Sequence, residues 1–425
     1  MTRTVHLHVG SPKSGTTYLQ RLLDANRGVL ADSGVLVVGR NQGERVRAGL
    51  QVREDARWQE MEPRPDHWGD FVREIRAWQG HTAVLSYELL SAATAEQAQR
   101  VFDDLAGLDV HVVITGRDLG RAVPSAWQER LKFGLTTPLE EWSPPPASNA
   151  RSEWGWRTID PASVAERWTP PAGPDHLHLV TVPRSPAAPD ELWRRFADAC
   201  GLSGIPVDLE LPRVNESLGA VGAELLRRFN ERLRPPLVGS AERARWLRDL
   251  MAHQIIAQRD DVPLAMTDEH LRKAERRSAA TIEALTAAGC VVHGDLEDLR
   301  ASRSTGRMPS DVSDAEVLDA ALDALLELLL VHRSAAGSRG RGRGGAGGSR
   351  LSRWVRSATG PVVRQRDEAL RRRLDELERE VQEARELQQR VAMLQDVVTE
   401  LVLPADARNR DVTLSGLRRY RRNSL

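Results

Sequence analysis

The stretch Val5–Leu23, VHLHVGSPKSGTTYLQRLL, decides how the rest of the chain is read. Val5, Leu7 and Val9 alternate with His6 and His8, which predicts a strand, and Gly10-Ser11-Pro12 breaks it. From Thr16 onward, Leu19, Leu22 and Leu23 fall on one face of a helix. A strand, a glycine-containing turn and a helix in succession aim backbone N–H groups and the positive helix end at one point, which makes an anion cradle. Gly10 and Gly15 have the spacing of the nucleotide loop G-x-x-x-x-G-K-[ST], but Thr16 stands where that loop carries lysine. The cation sits inside the loop instead, as Lys13. One lysine and three hydroxyls, Ser14, Thr16 and Thr17, suit a terminal group of lower charge than a phosphoryl, such as a sulfuryl group.

A second unit of the same kind follows at Val110–Glu129, VHVVITGRDLGRAVPSAWQE, again a strand leading into a turn and a helix. Arg117 opens its turn and Ser125 follows eight residues later. Together the two motifs resemble those of sulfotransferases that use 3′-phosphoadenosine 5′-phosphosulfate (PAPS), over roughly Arg3 to Leu299. Ser11-Pro12-Lys13-Ser14-Gly15-Thr16-Thr17 is similar to the family's 5′-phosphosulfate loop, and Arg117 with Ser125 to its 3′-phosphate motif. The resemblance implies PAPS as sulfuryl donor, bound by Lys13, Ser14, Gly15, Thr16, Thr17, Arg117 and Ser125, with Tyr18 stacked on the adenine. No metal is implied. It also implies an open parallel α/β sheet, P-loop-NTPase-like, flanked by helices.

Thr82–Glu88 (TAVLSYE) reads as an apolar strand ending in polar groups, and such sheets bind ligands beyond the carboxyl ends of their strands. Cytosolic members carry a histidine base shortly after a lysine on this strand. Here Glu88 stands in for the base, as carboxylates do in other branches, and Ser86 sits where a second lysine is expected. Lys13 and Glu88 are therefore the expected catalytic pair, the carboxylate taking the proton of an acceptor hydroxyl or amine. Capping or ion pairing by Glu88 is the competing reading. His111, Asp32 and the His6/His8 pair are rival bases, although His6 and His8 read as satisfied core histidines.

The remaining segments are less specific. Asn41–Arg64 reads as a loop-rich excursion without period, and His67–Gln79 as an amphipathic helix. Phe133–Thr169, with Trp142, Trp154, Trp156 and Trp168 around Pro144-Pro145-Pro146, reads either as an acceptor-binding lid or as a long loop nailed down by tryptophans. Leu211–Gly219 resembles a loop that closes over the nucleotide in many bacterial members, with Arg213, Asn215 and Ser217 as contacts. His176–Val182 and Cys290–His293 read as further strands.

Lys+Arg and Asp+Glu are both 60 in 425 residues, so net charge selects no partner. Cys200 and Cys290 give neither a disulfide framework nor a cysteine metal cluster. Polar Thr2-Arg3-Thr4 leads straight into the first strand, and Ala320–Val331 is short and carries Asp323 and Glu327. A cytoplasmic protein is expected.

The expected organisation is a catalytic domain over residues 1–300, a linker and amphipathic helix over 301–333 and a Gly/Arg-rich flexible linker over 334–361. A coiled-coil helix follows over 362–403, then a basic tail over 404–425. The 301–333 helix opens on the capping box Ser313…Glu316 and shows Val317, Leu318, Ala321, Leu322, Leu325 and Leu329 on one face. Heptads from Leu370 to Leu401, with one phase shift, imply a homo-oligomer. The basic runs could meet an anionic surface. No base-reading motif accompanies them, so specific nucleic-acid binding is not expected. A phosphotransferase with a displaced loop lysine, and a nucleotide-binding scaffold assembled by the coil, are the rival functions. The sequence does not name the acceptor, though a carbohydrate or glycolipid would suit the tryptophans.

Overall fold

The computed structural model describes residues 4–60, 65–149, 152–184, 187–211, 217–233 and 239–340. The coiled coil, the basic tail, Arg213 and Asn215 lie outside the described residues, as do residues 341–361 of the linker.

A six-stranded sheet organises the chain: β1 (Thr4–Gly10), β2 (Val35–Val37), β3 (Thr82–Ser86), β4 (Asp109–Gly116), β5 (Leu177–Thr181) and β6 (Val291–His293). Its spatial order is β2-β3-β1-β4-β5-β6, and every pairing is parallel. Parallel strands are covered on both faces, so β3 reads as an apolar run, and the polar His6 and His8 of β1 and Thr115 of β4 are buried as well. On one face Val5, Leu7, Val9, Leu85, Val112 and Ile114 join a core closed by the helices His67–Ala77, Ala95–Asp104 and Pro161–Ala172. On the other, Val84, Val113 and Val180 pack against Leu19, Leu22 and Leu23 of the helix Thr16–Ala25 and against Trp193 and Phe196 of Glu191–Ala199. After β1 the chain moves to one side through β2 and β3, then crosses to the other with β4, β5 and β6. The carboxyl end of β1 is thus the point where direction reverses, the usual ligand crevice of such sheets.

Several segments differ from the sequence reading. Gln42–Val52 is a helix rather than loop, N-capped by the Asn41 side chain, which accepts from Glu44 N at 3.0 Å. Its inward face is Arg45, Ala48, Gly49 and Val52, and Arg45 is buried against the Asp24 carboxylate, so an apolar period never shows. In the tryptophan-rich segment Trp142 pins the irregular stretch to one core, while Trp168 belongs to a helix packed in the other, and Trp154 and Trp156 are half-buried. Pro161–Ala172 is a helix with Asp160 as N-cap and Pro161 in its first turn, where a missing N–H costs nothing.

The segment after residue 300 packs onto the same compact unit, which runs to Gly337. Ser302 N donates to Asp118 Oδ1 at 3.1 Å and Ala301 N to Ser278 Oγ at 3.1 Å. The helix Asp314–Gly340 keeps its capping box, Ser313 N donating to Glu316 Oε2 at 2.9 Å. Its buried residues are Val317, Ala320 and Ala324, whereas Leu318, Leu322, Leu325 and Leu329 are exposed. The small residues allow close approach, so the buried face is not the most apolar one. The helix also continues into the stretch read as flexible linker, Ala335 and Ala336 being strong helix formers.

Candidate active site

The loop between β1 and the helix Thr16–Ala25 folds as a tight cradle. Lys13 and Gly15 both take positive φ, 65° and 82°. Gly15 is the N-cap of the helix and leaves its N-terminus with no side-chain cap and no acid in the first turn. Helix N–H groups that face no side-chain acceptor are available to an anion. At Gly10 glycine is required for space as well, since a Cβ there would lie 2.8 Å from the Glu88 carbonyl oxygen.

A buried polar chain braces the cradle from below. His8, fully buried, bonds Ser86 Oγ through Nδ1 at 2.8 Å and Thr115 Oγ1 through Nε2 at 3.2 Å. Thr115 donates to the Gly10 carbonyl at 3.0 Å and meets the Ser14 hydroxyl, which also reaches the Ser11 carbonyl. Burial lowers the His8 pKa to about 3, so the ring is neutral and structural. The Ser14 side chain is thereby committed inward. Thr16 is buried, Thr17 exposed, and Tyr18 half-buried among the residues around Leu192.

The second motif meets the first. Arg117 Nη1 donates to the Lys13 carbonyl at 2.8 Å, and Arg117 Nε is enclosed with no partner. Burial and the neighbouring Arg121 lower its pKa to about 10, against the pull of Asp118, so it stays charged at neutral pH. The Asp118 carboxylate is occupied elsewhere, capping Gly120 N at 2.7 Å and accepting from Ser302. Arg117 is therefore an enclosed cation without a bonded counter-ion. On the helix Leu119–Leu131, Arg121, Ser125 and Glu129 recur every four residues and so share one face. The Ser125 hydroxyl bonds back to the Arg121 carbonyl at 2.9 Å rather than toward Arg117.

Lys13 points its ammonium at Glu129 Oε1, 2.9 Å away, and Lys132, fully buried, reaches the same oxygen at 2.8 Å. Burial alone would raise the Glu129 carboxyl; Lys13 and Lys132 outweigh it and hold it down at about 2. The trio carries one net positive charge beside the cradle. Because the folded pKa is depressed, Glu129 contributes stability above its unfolded value near 4.5, and loses it as pH falls toward about 2. The shift corresponds to about 3 kcal/mol. Glu129→Gln should therefore unfold more easily at pH 7, by about 3–5 kcal/mol because two ammonium groups lose their carboxylate. Its stability should also fall less than wild type's between pH 5 and 2. Parallel melting curves for the two proteins across that range would contradict this role.

Glu88 lies beyond the carboxyl end of β3, half-buried, and accepts from Gln20 Nε2 at 2.7 Å. The backbone after β3 is tied to β1 by Tyr87 N donating to the His8 carbonyl at 3.0 Å, which places Glu88 beside the loop. The rival bases lie elsewhere. His6 and His111 are paired in register toward the start of their strands, away from the loop, and Asp32 is exposed at the end of the helix Arg27–Asp32. Ser217 Oγ lies 3.4 Å from Gln128 Oε1. Sequence reading missed Glu129, Lys132, Arg121 and Thr115; the four-residue spacing Arg121, Ser125, Glu129 was the one signal that could have revealed the first and third.

Comparison with known proteins adds little to these residues. A family model described as Domain of unknown function (DUF6752) matches residues 370–424. No curated protein matches the sequence. Among solved structures, a sulfotransferase from Alicyclobacillus acidocaldarius is similar at a TM-score of 0.35 and 14% identity, over 50% of this chain and 87% of that one.

Proposed function

We propose that this protein transfers a sulfuryl group from PAPS to a hydroxyl or amine of an acceptor. The observation that carries the reading is Arg117: an enclosed guanidinium with an unpartnered Nε, bonded to the backbone of a second anion cradle. A donor with phosphate on both ends of its ribose has two separate anions to place, and ATP has one chain of them. The 5′-phosphosulfate fits the loop N–H groups and the hydroxyls of Thr16 and Thr17. The 3′-phosphate fits Arg117, with Arg121 and Ser125 on the adjoining helix face, and Tyr18 offers a ring to the adenine.

The acceptor oxygen or nitrogen forms a bond to sulfur as the bond from sulfur to the bridging phosphate oxygen breaks, and adenosine 3′,5′-bisphosphate leaves. Glu88 takes the acceptor's proton. Lys13, with the loop N–H groups, stabilises charge gathering on the bridging oxygen, the kind of fixed electrostatic positioning that dominates such transfers. Glu129 and Lys132 set the position of that ammonium.

Calorimetric titration without added metal tests the reading. Adenosine 3′,5′-bisphosphate should bind at least about tenfold more tightly than ATP or ADP, the margin of one charge-assisted contact. Equal or tighter binding of ATP would overturn the assignment in favour of phosphotransfer.

A further inference from the structure

Five histidines gather across four strands and one short turn, starting at the amino ends of β1 and β4, away from the loop, and running obliquely across β5 to β6. Parallel register places His6 opposite His111, and their ring centroids are 5.1 Å apart. His111, His178 and His293 then form a hydrogen-bonded line from β4 through β5 to β6. His111 Nδ1 meets His178 Nε2 at 2.8 Å, and His178 Nδ1 meets His293 Nε2 at 3.0 Å. The line ends on a carboxylate at each side: His293 Nδ1 to Asp198 Oδ2 at 2.7 Å, and His111 Nε2 to Asp109 Oδ2 at 3.2 Å. The other Asp109 oxygen faces His176 Nε2 at 3.6 Å.

The line thus ties two carboxylates together through three imidazoles. At its outer end one Asp109 oxygen faces His111 Nε2 while the other faces His176 Nε2, so three potential ligand atoms converge on one point at the surface.

We propose that Asp109, His111 and His176 bind a divalent transition-metal ion, zinc by the character of the ligands. One nitrogen or oxygen from each residue lies within 4.8 Å of the others. Zinc bonds of about 2.0–2.2 Å place tetrahedral ligands about 3.4 Å apart, a gap closed by small rotations of Asp109 and His176, both exposed. The line behind His111 is the second shell such a site needs. Metal-bound histidines donate their other ring N–H to a fixed acceptor, and here that acceptor is His178 Nε2, oriented in turn by His293 and Asp198. Two imidazoles and one carboxylate leave coordination positions open to solvent. The ion joins the start of β4 to the turn Pro174–His176 that precedes β5, about 23 Å along β4 from Arg117. The site is thus separate from the anion cradle.

The test is calorimetric titration of tag-free, chelator-treated protein with Zn2+ alone at pH 7.5, with Co2+ as a spectroscopic probe of coordination. Wild type should bind one equivalent and melt at a higher temperature with Zn2+ than without. His176→Ala, an exposed substitution that leaves the sheet intact, should weaken Zn2+ binding by at least about a hundredfold and abolish the visible Co2+ bands. Asp109→Asn should weaken it as well. Absence of stoichiometric Zn2+ binding to wild type, or equal affinity in wild type, His176→Ala and Asp109→Asn, would overturn the proposal.

Discussion

Arg117→Ala is expected to weaken binding of adenosine 3′,5′-bisphosphate by about ten- to a hundredfold, the worth of a charge-assisted hydrogen bond to an enclosed cation. The same substitution should leave the melting temperature nearly unchanged. Arg117 contributes one bond to the structure, to the Lys13 carbonyl, and its guanidinium is held in a desolvated place that lowers its own pKa. Removing the bond and removing the burden of an enclosed charge act in opposite directions. Arg117→Lys should recover only part of the affinity, since an ammonium cannot span two phosphate oxygens and the Lys13 carbonyl at once. ATP binding should change less than bisphosphate binding in both variants, because the second anion point is what ATP does not need. Calorimetry on the three proteins gives the comparison directly. Bisphosphate affinity equal to wild type in Arg117→Ala would remove Arg117 from the site and leave the loop as a general anion cradle.

The parts of the fold that sequence revealed are those where burial and local geometry agree. β1, β3 and β4 each bury an apolar row, and Gly10-Ser11-Pro12 and Gly116 mark where β1 and β4 stop, so the strand–loop–helix units could be placed to within a residue or two. What stayed hidden depends on partners distant in the chain. Lys13 and Glu129 are 116 residues apart, and nothing near either one announces the pair. Arg45 disguises a helix because the Asp24 carboxylate that allows its burial lies on another element. The histidine line exists only once β4, β5 and β6 have paired, bringing His111, His178 and His293 within hydrogen-bond reach. In the helix Asp314–Gly340 the leucines draw the eye, yet Val317, Ala320 and Ala324 make the contact, since packing selects for fit as well as apolarity.

Lys13→Ala is expected to slow turnover by about 10²–10³-fold at saturating donor, the cost of removing one fixed stabiliser of developing charge, while changing donor affinity by less than about tenfold. The division follows from where the group sits. Ground-state binding rests on the loop N–H groups and on Arg117, and all of these survive the substitution. The ammonium acts on charge that appears as the sulfur–oxygen bond opens, so its loss falls on the transition state. The structure also separates this effect from misfolding. Without Lys13, Glu129 keeps its bond to the buried Lys132, so the pair is neutral and no carboxylate is stranded. Lys13 has φ of 65°, a region that glycine occupies without strain, so Lys13→Gly removes the same ammonium while easing the backbone. The two variants should lose turnover equally even though Lys13→Gly should melt no lower than Lys13→Ala. Release of adenosine 3′,5′-bisphosphate from PAPS, with water in place of the acceptor, provides the readout. Turnover retained in both variants would take Lys13 out of the chemistry. Loss in Lys13→Ala that Lys13→Gly restores would make its role one of loop geometry rather than charge.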